Sequence, residues 1–281
     1  MVPHFIPVIS RSGKRRAKAG VMRRITLLAL VTLPRLMACA THPVTGRQQL
    51  MLVPDSQVIE MSRAAYQQMG QERAVLPPSH AYSQRVTRLT TPIIRQAIRH
   101  YPQAARLDWQ IRVFRDDTPN AFALAGGLMG VNSGLIDEIK PTDDELAQVI
   151  AHEIAHVLSG HSREKLSIAM SQQLGIGLAG SALGLDPSAV DLAQQVGQVA
   201  ISLPYSRTME TEADVMGLEL AARAGHDPRA VRSLWKKMNE AGGARPPEWL
   251  STHPGAENRM RALSARIPEV MPLYREATGS Q

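Results

Sequence analysis

The residue types that could do chemistry concentrate in one stretch, Ala147 to Leu158, which reads Ala-Gln-Val-Ile-Ala-His-Glu-Ile-Ala-His-Val-Leu. Apolar residues surround the polar ones, and their spacing predicts a helix. His152 and His156 are four apart, so on a helix they share a face one turn apart. Glu153 follows the first histidine. Two imidazoles so placed can bind one Zn²⁺, and the carboxylate stands where it can take a proton from metal-bound water. Two histidines alone hold zinc weakly, so a third ligand must come from elsewhere in the chain.

A continuation Gly-x-x-His after the second histidine would be one source. Those positions hold Ser159 and Ser162, and His161 falls one residue short. The other common solution is a carboxylate from a later helix. Ser206 to Asp214 offers Glu210 and Asp214, four apart and on one face. Glu210 can reach the metal, while Asp214 can accept a hydrogen bond from a ligating histidine and fix its tautomer. Glu212 points elsewhere and reads as part of a solvated face. His161 reads as a polar residue just past a helix end, and His42, His80, His100 and His226 as surface residues.

These groups need elements to position them. Thr142 with Glu145 forms a capping box that starts the histidine helix, and Gly160 closes it. Helices are predicted from Pro54 to about Arg73 and from about Ser79 to His100, the second kinked or divided by Pro92. Leu107 to Arg115 alternates as a strand. Asn120 to Leu135 reads as two short strands around Gly126-Gly127. Further helices are expected from about Ser162 to Gly175, over 188–203, from Tyr205 to Ala224, from Asp227-Pro228 onward, and over about 255–266 and 269–277. Gly242-Gly243 and Pro246-Pro247 mark a loop. The small apolar stretch 174–185 is too short for a bilayer span and could act as a lid.

Composition bounds the rest. The chain has 281 residues with a hydrophobic share of 44%, enough for a packed core. The formal charge of +7 comes from the N-terminus: residues 1–50 hold nine Lys or Arg and no Asp or Glu. The remainder is slightly acidic, which argues against nucleic-acid binding. Residues 1–38 read as a secretory signal, with Met22 as a possible true start. Leu36-Met37-Ala38-Cys39 is similar to a bacterial lipobox, in which Cys39 is lipidated and becomes the first mature residue. Residues 39–53 are then a lipid-anchored tether, and 54–281 a single domain. Ala40 in place of aspartate points to the outer membrane.

With Glu210-x-x-Ala213-Asp214 following the His-Glu-x-x-His helix, the chain resembles a specific gluzincin family. That family holds the CAAX prenyl proteases, HtpX, the mitochondrial stress protease and the periplasmic BepA and LoiP types. Val44 to Arg47, Asn120 to Leu135, Ser206-Arg207, and Ser251 to Pro254 with Arg259 carry the likeness further. The lipoprotein-like periplasmic branch is nearest, without the tetratricopeptide tail of BepA. Ala125 stands where the family usually has proline.

The resemblance implies an α+β, mostly helical zincin-like domain, with a small edge-strand sheet beside the histidine helix. It implies one Zn²⁺ on His152, His156 and Glu210, with Glu153 as base. Asn120, Ala123, Gly126, Gly127 and Val131 would then lie along an edge strand that pairs with an extended or unfolded polypeptide substrate. His253 would be a removable fourth zinc ligand or a stabiliser of the oxyanion. The implied function is a periplasmic zinc endopeptidase, lipid-anchored to the outer membrane, that cleaves misassembled envelope proteins. The competing reading is a non-catalytic or self-inhibited chaperone on the same fold. The intact Glu153 favours the enzyme.

Overall fold

The computed structural model describes residues 39–182, 204–241, 248–254 and 256–279. The expected signal segment, the helix over 188–203 and the loop at 242–247 lie outside them. The described part is mostly helical, with two small sheets.

A two-stranded antiparallel sheet comes first, β1 (Cys39–Thr41) with β2 (Gln48–Leu50). Helices α1 (Asp55–Glu72) and α2 (Ala81–His100) follow. A three-stranded sheet then forms from β3 (Gln110–Phe114), β4 (Ala121–Leu124) and β5 (Leu128–Asn132), in the order β3-β5-β4. β5 is central, parallel to β3 and antiparallel to β4. The turn between β4 and β5 needs Gly126 and Gly127, both at positive φ (88° and 89°).

The sheet is sandwiched. Val113, Ala121, Ala123, Met129 and Val131 face the main core, which the histidine helix also enters. Phe114, Phe122, Leu124 and Leu128 face Tyr66 and Met69 of α1. That is the period-two alternation of strands buried on both faces. The alanines on the inner face let the helix approach closely.

The helix itself is α4 (Asp143–Leu158), after short α3 (Ser133–Ile139). Its capping box is formed: Thr142 Oγ1 accepts from the Glu145 N–H, and Glu145 Oε2 from the Thr142 N–H. Gly160 at φ 63° turns the chain into α5 (His161–Ala182). Next come α6 (Arg207–Arg223), α7 (Ala230–Ala241), α8 (Glu248–Thr252) and α9 (Ala256–Thr278). α6 lies directly on α4. A Cβ on Gly217 would stand 2.9 Å from the His152 backbone, so glycine is what lets the two helices meet there.

Two expectations are corrected. Pro92 does not divide α2, which runs unbroken. Hydroxyls of Thr90 and Thr91 bond back to the carbonyls of Val86 and Thr87, beside the one backbone bond that proline removes. Likewise 256–278 is one helix containing Pro268 and Pro272 rather than two. Among the described residues no helix is long and apolar enough to cross a membrane.

Candidate metal centre

Four side-chain atoms converge between α4, α6 and the loop after α8. His152 Nε2 lies 3.0 Å from His156 Nε2 and 3.3 Å from His253 Nδ1. Glu210 Oε1 lies 3.0 Å from His253 Nδ1 and 3.4 Å from His156 Nε2. All four residues are buried. A tetrahedral ion with bonds of about 2.0–2.1 Å has ligand–ligand edges of about 3.3 Å. The donor set and its spacing therefore fit one Zn²⁺. Lone pairs facing one another at this range, out of water, need a proton or a metal ion between them. Burial alone would raise the Glu210 carboxyl, but the neighbouring histidines outweigh it and hold it well below the usual range. Burial pushes His156 well below its ordinary value.

The first turn of α6 supplies Glu210 because Ser206 caps the helix, its Oγ accepting from the Met209 N–H. Asp214 comes round one turn later, and its Oδ1 lies 3.1 Å from His152 Nδ1. Burial opposes charge on His152, but Asp214 and Glu210 outweigh it and raise the imidazole to about 9.

Arg259, from α9, holds this side together. Its Nε and Nη2 donate to Asp214 at 2.8 and 2.7 Å, and Nη1 lies 2.5 Å from Glu210 Oε2. Nη1 also donates to the His253 carbonyl at 3.1 Å. Sequence reading named Arg259 only through the family likeness and gave it no role.

Glu153 sits beside this cluster. Its Oε1 accepts from Trp249 Nε1 at 3.0 Å and lies 3.4 Å from His253 Nε2. Its Oε2 has no hydrogen-bond partner among the described residues. Aromatic rings wall the site. Tyr205 stacks on His156 at 4.0 Å between centroids, and Trp249 on His253 at 4.8 Å. Lys165 Nζ lies over the Tyr205 ring, and burial lowers its ammonium to about 8. Sequence reading missed Trp249, Tyr205 and Lys165, since no spacing to the histidines marks them.

The edge-strand residues are placed unequally. The Asn132 N–H donates to the Asn120 carbonyl, so 120, 122 and 124 pair with β5. Backbone groups of 119, 121 and 123 then aim away from β5, and the Pro119 carbonyl accepts from the Trp249 N–H. Ala123 therefore lies on a sheet edge, but Val131 does not: it is on central β5, bonded on both sides. Gly126 and Gly127 form the turn.

Three further readings are corrected. Glu212 and His42 are buried, at 3% and 1% exposure, rather than solvated, and His161, read as merely following a helix end, opens α5 at 0% exposure. α6 is covered on more than one face, so the side opposite Glu210 is interior too.

Comparison with known proteins now decides the family. Residues 81–267 match peptidase family M48. The chain belongs to that family. Among relatives, the mitochondrial metalloendopeptidase OMA1 of Schizosaccharomyces pombe is 34% identical over 231 residues, covering 81% of this chain and 66% of that protein. The human mitochondrial metalloendopeptidase OMA1 is 31% identical, over 82% of this chain and 46% of its own length. The metalloprotease LoiP of Escherichia coli is 27% identical, over 78% of this chain and 84% of that protein. This chain thus spans about half to two thirds of the OMA1 proteins. Membership makes the domain a zinc metallopeptidase domain, and the buried cluster is a set that could hold its one ion. Mitochondrial and bacterial relatives both match, so the likeness supports the family and not the BepA/LoiP branch in particular.

Proposed function

We propose that this protein is a zinc endopeptidase of a bacterial envelope that cleaves extended or unfolded polypeptides, with His253 holding it latent in the geometry described. The observation that carries the reading is Glu153. A buried carboxylate with one oxygen fixed by Trp249 and the other without a partner, 3.4 Å from a residue of the donor cluster, is placed to move a proton.

Bound zinc supplies the Lewis acidity that brings the pKa of a coordinated water from 15.7 to about 7. His152, His156 and Glu210 would hold the ion. Asp214 and Arg259 fix His152 and Glu210 in place. Glu153 takes a proton at Oε2 and returns it to the leaving amine. Among the described residues β4 has no second strand partner, and its outer edge would align the substrate backbone through Ala121 and Ala123.

The loop after α8 obstructs the site. His253 Nδ1 stands 3.0 Å from Glu210 Oε1 and 3.3 Å from His152 Nε2, and its Nε2 faces Glu153. Displacement of His253 alone would free the metal position and the base while the Trp249 bond to Glu153 stays in place. This observation supports a self-inhibited resting enzyme over a permanently inert chaperone.

The lipobox-like sequence at Cys39, exposed at the start of β1, supports a lipid anchor and a periplasmic, outer-membrane location. The domain scheme of signal, tether and catalytic unit belongs to the same proposal.

The test is cleavage of casein by the purified chain, with and without a chelator, beside Glu153→Gln and His253→Ala. Chelator-sensitive cleavage that Glu153→Gln lowers by about 10²–10⁴-fold is expected. His253→Ala should raise the rate. Cleavage that no chelator affects overturns the enzyme reading, and loss of activity in His253→Ala moves that residue to the oxyanion.

A further inference from the structure

A second buried cluster lies behind the metal centre, on the side away from Arg259. His156 presents Nε2 to the donor cluster, and its other nitrogen, Nδ1, lies 2.8 Å from His161 Nδ1. Two ring nitrogens at that distance share one proton. Because the Nε2 lone pair of His156 is turned to the donors, the proton sits on its Nδ1 and His161 Nδ1 accepts it. His161 must then carry its own proton on Nε2, which lies 3.2 Å from Glu212 Oε2. Glu212 is held in turn. Its Oε1 accepts from Thr45 Oγ1 at 2.6 Å and Arg47 Nε at 3.0 Å, and its Oε2 from Arg47 Nη2 at 2.8 Å. Arg47 also bridges to Glu164 at 2.5 and 2.8 Å. Gln49 Nε2 donates to Glu164 and to the Ser159 carbonyl at the end of α4.

We propose that His161 is a positioning residue of the zinc site. It fixes the tautomer and ring orientation of His156, and residues 42–49 form the strap that holds it through Glu212. The inference rests on His156 being a zinc ligand. It gives the two ligating histidines separate supports: a carboxylate with arginine for His152, an imidazole with carboxylate and arginine for His156. Such outer partners orient ligands and raise their basicity.

His42, His161 and Glu212 also lie close enough together to suggest a second metal site. Their bonding argues otherwise. His161 Nδ1 is committed to His156, and His42 Nδ1 accepts from the N–H groups of Val44 and Thr45. The His42 and His161 rings stack at 18° rather than converging edge-on. Arg47 already neutralises both oxygens of Glu212.

The experiment measures zinc affinity by chelator competition in the full chain, for His161→Leu, which keeps volume without an acceptor, and His161→Gln, which can accept and donate across the same gap. The expected result is a 10–100-fold weaker zinc affinity in the leucine variant. The glutamine variant should stay within about threefold of wild type, since an amide both accepts and donates. If His161→Leu does not fold, His161→Asn replaces it, since its amide is too short to bridge both partners. Wild-type affinity in the leucine or asparagine variant overturns the proposal. So does equal loss in the glutamine variant, or two zinc ions per wild-type chain with one lost on substitution. His156→Ala is the control. If it keeps wild-type zinc affinity, the ligand assignment fails and the positioning role of His161 with it, whereas loss in His156→Ala with wild-type affinity in His161→Leu sinks the positioning role alone.

Discussion

Trp249 joins three parts of the site with one residue. Its indole N–H fixes Glu153, its ring stacks on His253, and its backbone N–H takes the Pro119 carbonyl. Trp249→Phe keeps an aromatic ring against His253 and removes the bond to the carboxylate, with some loss of packing on Trp235. A hydrogen bond to a charged group contributes about 1.5–3 kcal/mol, so kcat should fall by roughly ten- to a hundredfold. Zinc content should stay at that of wild type. Steady-state kinetics on a short peptide with metal analysis checks this, and a change confined to KM would mean the bond does not orient the base.

Among the elements, α4 is tied at its first turn to α7 by Lys237, whose Nζ lies 2.6 Å from Glu145 Oε2. Burial alone would raise the Glu145 carboxyl, but Lys237, Ser233 and the Thr142 N–H outweigh it and lower it. A lowered folded pKa gives stability that is present above the unfolded value, about 4.3, and lost as pH falls through the folded one. Lys237→Met should therefore cost about 1–2 kcal/mol at pH 7, discounted because the Lys237 side chain is one third exposed. The difference from wild type should shrink in acid; urea melts at pH 7 and pH 3 measure it, and a cost that is the same at both would remove the charge from the account. This helix was legible in sequence because its capping box and apolar period are local. Glu210 and Asp214 were legible for the same reason, being one turn apart. Pro92, Pro268 and Pro272 were misread because local breakers were weighed without the side-chain bonds and packing that keep those helices continuous. Glu212 was misread because a helix face was assigned to solvent, although the second half of α6, Met216 to Ala222, is apolar on several sides, which signals burial of the helix on more than one face. Nothing local marks His161, whose meaning depends on a carboxylate 51 residues away.

At the scale of the whole molecule, the segment before α1 packs into the fold. β1 and β2 pair with each other, and Arg47 between them reaches Glu164 on α5 and Glu212 on α6. Gln49 adds bonds to Glu164 and to the end of α4. α5 and α6 are thus joined at this corner through one guanidinium. Both carboxylates are buried, at 3% exposure each, so removing their counter-charge leaves two desolvated anions side by side. Arg47→Met should cost about 3 kcal/mol, taken at the low end because the arginine side chain is partly exposed. For a domain of this size that corresponds to a fall in Tm of roughly 6–12 °C. The loss should also be local. Amides of β2 and the first turn of α5 should lose hydrogen-exchange protection well before those of α2 and β5, which pack in the main core on the far side of α4. If protection instead fell evenly across the chain, Arg47 would be acting on global stability alone. If neither Tm nor exchange moved, the strap would be a surface segment resting on a core that does not need it.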